Sequence, residues 1–400
     1  MAKNVDFLII GGGIVGINTA HLLKEKHPNS NVIVLEKEES IAYHSSGRNS
    51  GVLHAGFYYT ADSLKAKLTM KGNQFMRNYC DEYKIRIRKC GKLVVTSSET
   101  DITQLEELFS RAEKNHVVVE RVLEEDIKRI EPRAKTLSHA LYSPNTCSVD
   151  PVELTTSMKR AAEETGVIFR HSEYFLNQNK NITITNLDTY DAGYIINAAG
   201  LQADQIALQF GFSQNHRILP FKGLYIYSDE QPFSFQTHIY PVPNIKNPFL
   251  GVHFTVTVDG KVKIGPTAIP ALWREQYRGL DRFKFNELYE ILFRQFSLAL
   301  HSNFDFKSLA IEEIKKYSKK YMVDCAAKLA EGIHYENYKT YGKPGMRAQL
   351  IDIKKKKLEM DFLIEGDRKS LHILNAVSPG FTCARPFAEY IIDQVSLLTE

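Results

Sequence analysis

The chain lacks the features that mark several large protein classes. Its five cysteines, Cys80, Cys90, Cys147, Cys325 and Cys383, are odd in number and show no CxxC spacing. A disulfide framework or zinc site is therefore not expected, and a reducing cytosol suits their use. No apolar run reaches the about 18–20 residues that a membrane helix needs. Lys3 and the apolar stretch behind it superficially resemble a signal peptide. However, Asp6 and the glycines Gly11 to Gly13 interrupt that stretch, which reads as a buried strand. HExxH and GxSxG are absent, and no His/Asp/Glu spacing suggests a metal. Neither sign of charge dominates: 51 Lys+Arg stand against 47 Asp+Glu, and the small basic excess is spread along the chain. That is no footprint for nucleic acid. The expectation is a cytoplasmic protein, with peripheral contact at the inner membrane face left open.

Composition is ordinary for a globular protein, with 43% hydrophobic and 24% charged residues, which excludes a disordered or collagen-like chain. At about 150 residues per domain, 400 residues predict two or three domains or one interleaved α/β body. The opening reads strand, glycine turn, helix, strand: an apolar run over 5–10, helical spacing over 14–26, a stop at His27-Pro28-Asn29, and a second β-branched run over 31–35. Helical patterns follow over 61–83, 101–115 and 152–165. A strand over 192–197 ends in Ala198-Ala199-Gly200. The stretch 221–269 is strand-rich, with turns at Asn244, Asn247-Pro248 and Asp259-Gly260. Two amphipathic helices over 283–300 and 308–330 read as a cap or interface. Strands resume over 346–364 and 371–375, and a last helix covers 384–398. The lysine run 354–357 reads as a solvated hairpin turn.

Gly11-x-Gly13-x-x-Gly16 follows a strand and opens a helix. The first glycine permits the tight turn, the second lets the backbone approach a pyrophosphate, and the third lets helix pack on strand. The pyrophosphate then lies at the helix N-terminus, over Ile14 and Val15. Glu36, 20 residues after Gly16, ends the second strand. A carboxylate there accepts from a ribose 2′-OH and repels a 2′-phosphate, which disfavours NADP. Lys37 follows it. The next polar stretch carries Ser45, Ser46, Arg48, Asn49, Ser50 and Gly51. It is a poor core and a good lining for an extended cofactor; a polar surface loop is the plainer alternative.

These features resemble the FAD-dependent D-amino-acid-oxidase superfamily. So do Asn197-Ala198-Ala199-Gly200, Gly345-Met346-Arg347 and Ser378-Pro379-Gly380-Phe381-Thr382. Within it, HSSGRNSGVLHAGFYY, CGKLVV, IYPVPN, FLGVHFT, GMRAQ and LHILNAVSPGFT resemble the L-2-hydroxyglutarate oxidase/dehydrogenase family over nearly the whole chain. The resemblance implies a Rossmann-like FAD-binding domain (1–85, 145–215 and 341–400) interleaved with an α+β substrate domain (86–144 and 216–340) on a large mixed or antiparallel sheet. It implies FAD contacts from Ala198, Ala199, Gly200, Pro379, Gly380, Phe381 and Thr382. It also implies oxidation of L-2-hydroxyglutarate to 2-oxoglutarate by hydride transfer to flavin N5. The acceptor of the electrons is left open between oxygen, a quinone and a carrier protein. Cys147, Phe381 and the lysine run depart from the family pattern, and Phe381 in particular would alter the flavin pocket.

Oxidising a 2-hydroxy acid needs a base, a carboxylate clamp and exclusion of water. Arg347 is the candidate clamp, since its planar fork matches a carboxylate; a surface arginine is the alternative. His54 is the first candidate base because histidine titrates near neutral pH, with a flavin-side role, covalent attachment included, as its alternative. His253 is the second, or else a satisfied core histidine. Tyr225 and Tyr240 would complete the wall. Cys383 lies close enough in sequence to the flavin turn for covalent attachment, but a packed thiol is the simpler reading. His27, His116 and His171 read as surface residues. The competing functions are oxidation of an amino acid, oxidation of glycerol 3-phosphate with Lys222 as a further cation, and a non-catalytic flavin-binding assembly module.

Overall fold

The computed structural model describes residues 1–243, 249–302 and 305–400. Lys3–Ile10 is flanked in parallel by Val32–Glu36 and Thr189–Asn197. Ile168–His171 adds beyond Val32–Glu36, and Ser370–Asn375 pairs in parallel with the end of Thr189–Asn197. Leu363–Gly366 pairs antiparallel with Ser370–Asn375, and the hairpin of Phe175–Asn179 and Ile182–Thr185 takes the start of Thr189–Asn197. All five residues of Val32–Glu36 are buried, as a parallel strand covered on both faces requires. Helix Ile14–Lys26 packs with Ala384–Thr399 and Pro151–Glu164. Their Ile17, Ala20, Leu23, Phe387, Ile391 and Leu154 share one core with Val34. The helix–strand alternation at the start is thus as the sequence predicts.

A second sheet of eight strands runs in the order Tyr338–Tyr341, Ile226–Ser228, Val262–Gly265, His253–Val256, His238–Pro241, Lys92–Val95, Ala140–Ser143, Glu120–Val122. Only the pairing of His238–Pro241 with Lys92–Val95 is parallel, which makes the sheet mixed. A four-stranded sheet pairs His216–Gly223 with Gly345–Asp352, Phe221 opposite Arg347. A short three-stranded sheet joins Val52–Leu53, Cys147–Val149 and Ile87–Arg88.

The expected turn at Asp259-Gly260 is present, with Gly260 N–H donating to the Thr257 carbonyl. The expected turns at Asn244 and Asn247-Pro248 lie outside the described residues. The lysine run is a hairpin turn: the Asp352 carboxylate accepts from the backbone of Lys354 at 2.9 Å and Lys355 at 2.8 Å. The single helix expected over 308–330 is two, Phe306–Lys315 and Lys319–Ala326. Ser318 interrupts the run because its hydroxyl caps the second helix by accepting from Tyr321 N–H. Helix Phe285–His301 leaves Phe285, Tyr289, Phe293 and Phe296 exposed, so much of its apolar stripe faces outward. Among the described residues, no helix is long and apolar enough to cross a membrane.

Candidate active site

A cavity of about 1440 Å³ runs from the glycine turn to the mixed sheet. Its first end is built by the βαβ opening. Gly11 has φ +116°, and a Cβ there would meet the Ala198 carbonyl oxygen at 2.5 Å. A Cβ at Gly16 would meet the Gly11 oxygen at 2.1 Å, so Gly16 packs helix on strand behind the wall and does not line the cavity. Gly13 begins the helix with no side-chain cap and no acidic residue in the first turn. The first-turn N–H groups, which no intrahelical carbonyl satisfies, therefore open toward the cavity beside Ile14 and Val15. Ser46 Oγ accepts one of them, Ile14 N–H, at 2.9 Å.

Glu36 lines the same end, 7% exposed, and accepts from Gly12 N–H at 3.1 Å and Glu38 N–H at 2.9 Å. Burial raises its pKa, against the Glu38 backbone donor and the nearby His44. Lys37 also lines the wall, but its ammonium pairs with Glu275. Arg282 bridges Glu38 and Glu275, and His44 donates or accepts between Glu38 at 2.8 Å and the Tyr277 hydroxyl at 2.7 Å. This closing network on Glu275, Tyr277 and Arg282 was not foreseen from sequence, because its members meet only in the fold.

The polar loop turns along the wall. Asn49 holds it internally, donating to the Ser45 and Ser46 carbonyls and accepting from Gly51 N–H at 2.8 Å. Ser45 Oγ ties it to the Met346 carbonyl at 2.9 Å. The Arg48 guanidinium donates to the Tyr43 and Pro344 carbonyls and stacks 4.3 Å from the Tyr277 ring. Ser45, Ser46, Arg48, Asn49 and Ser50 line the cavity; Gly51, with φ +77° against the Val149 carbonyl, shapes the turn from behind. Ala198, Ala199, Gly200, Pro379, Gly380, Phe381 and Thr382 line it as well. Thr382 Oγ1 accepts from His54 N–H at 3.1 Å, linking the late turn to the first candidate base.

The far end gathers His54, His253, Arg347, Tyr225 and Tyr240, all on the cavity wall. His253 stacks on Tyr240 with ring centroids 3.7 Å apart, and its Nδ1 lies 2.8 Å from the Gly251 carbonyl. Burial pushes both His54 and His253 down to about 3. Lys92, His253 and Arg347 add to the effect on His54. Both imidazoles are therefore neutral at physiological pH, lower than the near-neutral titration expected from sequence. Arg347 lies 5.1 Å from the Phe249 ring and has no ion pair or hydrogen-bonding partner for its guanidinium among the described residues. Lys222 and Cys383 do not line the cavity. Cys383 is fully buried with Sγ 3.4 Å from Thr69 Oγ1, and burial pushes its thiol up to about 12, so it is a packed, protonated thiol.

The fold and this cavity define a dinucleotide-dependent α/β oxidoreductase: a glycine-opened helix start and a carboxylate at one end, two neutral histidines and an arginine without an ion pair among the described residues at the other. A family model described as FAD dependent oxidoreductase (DAO) matches residues 6–394. The chain is 33% identical to the mitochondrial L-2-hydroxyglutarate dehydrogenase of Nematostella vectensis over 99% of this chain and 91% of that protein. It is 32% identical to the L-2-hydroxyglutarate dehydrogenase of Escherichia coli K12 over 98% and 93%. Among solved structures, the FAD-bound L-alpha-glycerophosphate oxidase of Mycoplasma pneumoniae superposes with TM-score 0.77 at 21% identity, covering 98% of this chain and 95% of that one. Glycine oxidase of Geobacillus kaustophilus gives 0.73 at 17%, covering 99% and 95%.

The chain belongs to the DAO family of FAD-dependent oxidoreductases, and its cofactor is FAD. The residues present fit that group: an uncapped helix start faces the cavity, glycines clear the approach, and Glu36 stands where a ribose hydroxyl would donate. Replacing Glu36 by Ala is expected to weaken FAD binding by roughly 1–3 kcal/mol, the range for hydrogen bonds to a charged group. Flavin retention on dilution measures it, and unchanged retention would remove Glu36 from the ribose site.

Proposed function

We propose that this enzyme oxidises L-2-hydroxyglutarate to 2-oxoglutarate. The observation that carries the reading is the Arg347 guanidinium, on the cavity wall without an ion pair among the described residues and flanked by neutral histidines and tyrosines. Relatives at about a third identity over almost the full length bear names for that reaction. Lys222, the cation weighed for a phosphate as in glycerol 3-phosphate, does not line the cavity. In this reading residues 1–85, 145–215 and 341–400 form the FAD-binding domain and 86–144 and 216–340 the substrate domain, with His54 and Arg347 reaching the substrate from the first. The strand Gly345–Asp352 bridges the two through its pairing with His216–Gly223.

Bound FAD supplies the two-electron acceptor for the substrate Cα hydride at N5. Arg347 holds the α-carboxylate with its two parallel N–H donors and so fixes which face of Cα is presented. His54, neutral and half-buried, takes the hydroxyl proton as the C–H bond breaks. Tyr240, packed on His253, and Tyr225 exclude water and wall the site. The electron acceptor that reoxidises the flavin is oxygen, a quinone or a carrier protein. Production of 2-oxoglutarate in stoichiometry with reduced acceptor tests the assignment.

His54→Ala is expected to lower kcat by ~10²–10⁴ with KM largely kept. Because the folded pKa is about 3, His54 is already in its base form above that value. The acid limb of kcat/KM is expected well below pH 6, and flavin reduction should be flat from about pH 5 to 7 on that account. A wild-type limb near pH 6.5 that His54→Ala abolishes would contradict the desolvated environment. Near-normal reduction in His54→Ala would move the base to His253.

A further inference from the structure

Lys65 is a second basic side chain in the same cavity; burial and the nearby Arg347 bring its ammonium down to about 7, so an anionic ligand would favour its charged form. It sits in the first turn of helix Leu64–Glu82, is 5% exposed, and lines the cavity wall. Its ammonium has no hydrogen bond or ion pair among the described residues. It lies 6.0 Å from the Tyr59 ring and 5.7 Å from the Phe362 ring. Tyr59 also lines the cavity, and it interacts electrostatically with Arg347. Lys65 and Arg347 therefore face the same region from two different elements.

The carboxylate that acts on Lys65 electrostatically, Asp361, is engaged elsewhere. Its Oδ2 accepts from Leu64 N–H at 2.7 Å, and its Oδ1 from Lys65 N–H at 3.0 Å and Phe362 N–H at 2.8 Å. It caps the helix and offsets the ammonium only at a distance. The other carboxylates on the cavity wall, Glu36, Glu38, Glu173 and Glu275, cluster at the glycine-turn end. Behind the aromatic wall, Lys92 sits 4.9 Å from the Tyr240 ring and Lys263 4.4 Å from the Tyr225 ring, both buried. This end thus carries Arg347 and Lys65 facing the cavity and Lys92 and Lys263 behind it, while its other charges are committed: Asp361 to the helix start, Glu313 to Lys316, and Arg111 on the wall to Glu107. Burial costs an unpaired ammonium free energy that a second anion on the ligand would recover.

We propose that Lys65 binds the distal carboxylate of a dicarboxylic 2-hydroxy acid while Arg347 holds the α-carboxylate, so that Lys65 selects dicarboxylates over monocarboxylates. The proposal rests on the reading of Arg347 given above. It makes Lys65 a specificity residue with no part in the proton or hydride steps. Loss of the ammonium removes one charged hydrogen bond in the ground and transition states alike, which raises KM and spares kcat.

The test uses FAD-loaded wild-type, Lys65→Met and Lys65→Arg enzymes with L-2-hydroxyglutarate, L-2-hydroxypentanoate and glycerol 3-phosphate as reductants. Glutarate and pentanoate serve as non-oxidisable ligands read by perturbation of the visible flavin spectrum. Wild type is expected to prefer the dicarboxylate. Lys65→Met should lower kcat/KM for L-2-hydroxyglutarate by about 10- to 100-fold, mostly through KM, and weaken glutarate binding alike, the scale of a hydrogen bond to a charged group. The same variant should leave L-2-hydroxypentanoate and pentanoate within about threefold, and Lys65→Arg should restore part of the dicarboxylate preference. Equal losses for both chain types, loss of FAD, or unchanged glutarate binding in Lys65→Met would overturn the proposal. Reduction by glycerol 3-phosphate in place of the dicarboxylate would also overturn it, since both cations would then serve one phosphate. If wild type oxidises no 2-hydroxy acid yet binds glutarate in a Lys65-dependent way, the subsite stands and the reaction assigned above fails.

Discussion

Arg347→Met is expected to lower kcat/KM for L-2-hydroxyglutarate by more than ~100-fold, about 2.7 kcal/mol in transition-state terms. The guanidinium lies on the cavity wall with no anionic partner among the described residues, so its fork is available to a ligand carboxylate and is lost with the methionine. Its strand is fixed by eight paired positions against His216–Gly223, so methionine, of similar length and unbranched, should leave the sheet intact. The loss should then report the missing fork and not a disturbed fold. Arg347→Lys should keep only part of the activity, because an ammonium cannot make two parallel N–H bonds to one carboxylate. Steady-state kinetics with an intact flavin spectrum as the control decide it. Full activity in Arg347→Met would mean that the carboxylate is held elsewhere along the aromatic sheet.

The second large effect is on the cofactor. Gly13→Glu is expected to yield a folded, colourless protein. The Gly13 backbone has an ordinary φ of −74°, and a Cβ there would press only on the Ser46 hydroxyl at 3.2 Å, a side-chain atom that has to yield by a few tenths of an ångström. The introduced carboxylate would then occupy the mouth of the uncapped helix, where a pyrophosphate would sit, and set like charge against like. Gly11 and Gly16 are poorer probes, because a Cβ at either collides with backbone oxygen and would damage the fold as well. Absorbance per folded chain is the readout. A folded Gly13→Glu protein with stoichiometric flavin would contradict the placement of the dinucleotide.

The first βαβ unit was legible because its information is local: a β-branched run, three glycines at fixed offsets, helical spacing, and an acid at the next strand end. The mixed sheet and the FAD cofactor came from resemblance, and the fold agrees. What the sequence did not carry depends on contacts between distant segments. Lys65 reads as one polar residue of an amphipathic helix until burial leaves its ammonium without an ion-pair partner among the described residues. Glu275, Tyr277 and Arg282 close over Lys37, Glu38 and His44 across more than 200 positions of chain. The two histidines stood out as candidates, but their pKa values did not, because desolvation sets both, with Lys92 acting on each and Arg347 on His54. The helix expected over 308–330 failed at Ser318, where a capping hydroxyl outweighed an unbroken apolar pattern.

The most direct test of the account is reduction of the enzyme-bound flavin without oxygen. L-2-hydroxyglutarate mixed anaerobically with the FAD-loaded protein is expected to bleach the visible flavin absorbance, with one 2-oxoglutarate formed per flavin reduced. An FAD-loaded protein that L-2-hydroxyglutarate leaves fully oxidised, whether or not an amino acid or glycerol 3-phosphate bleaches it, would contradict the assignment.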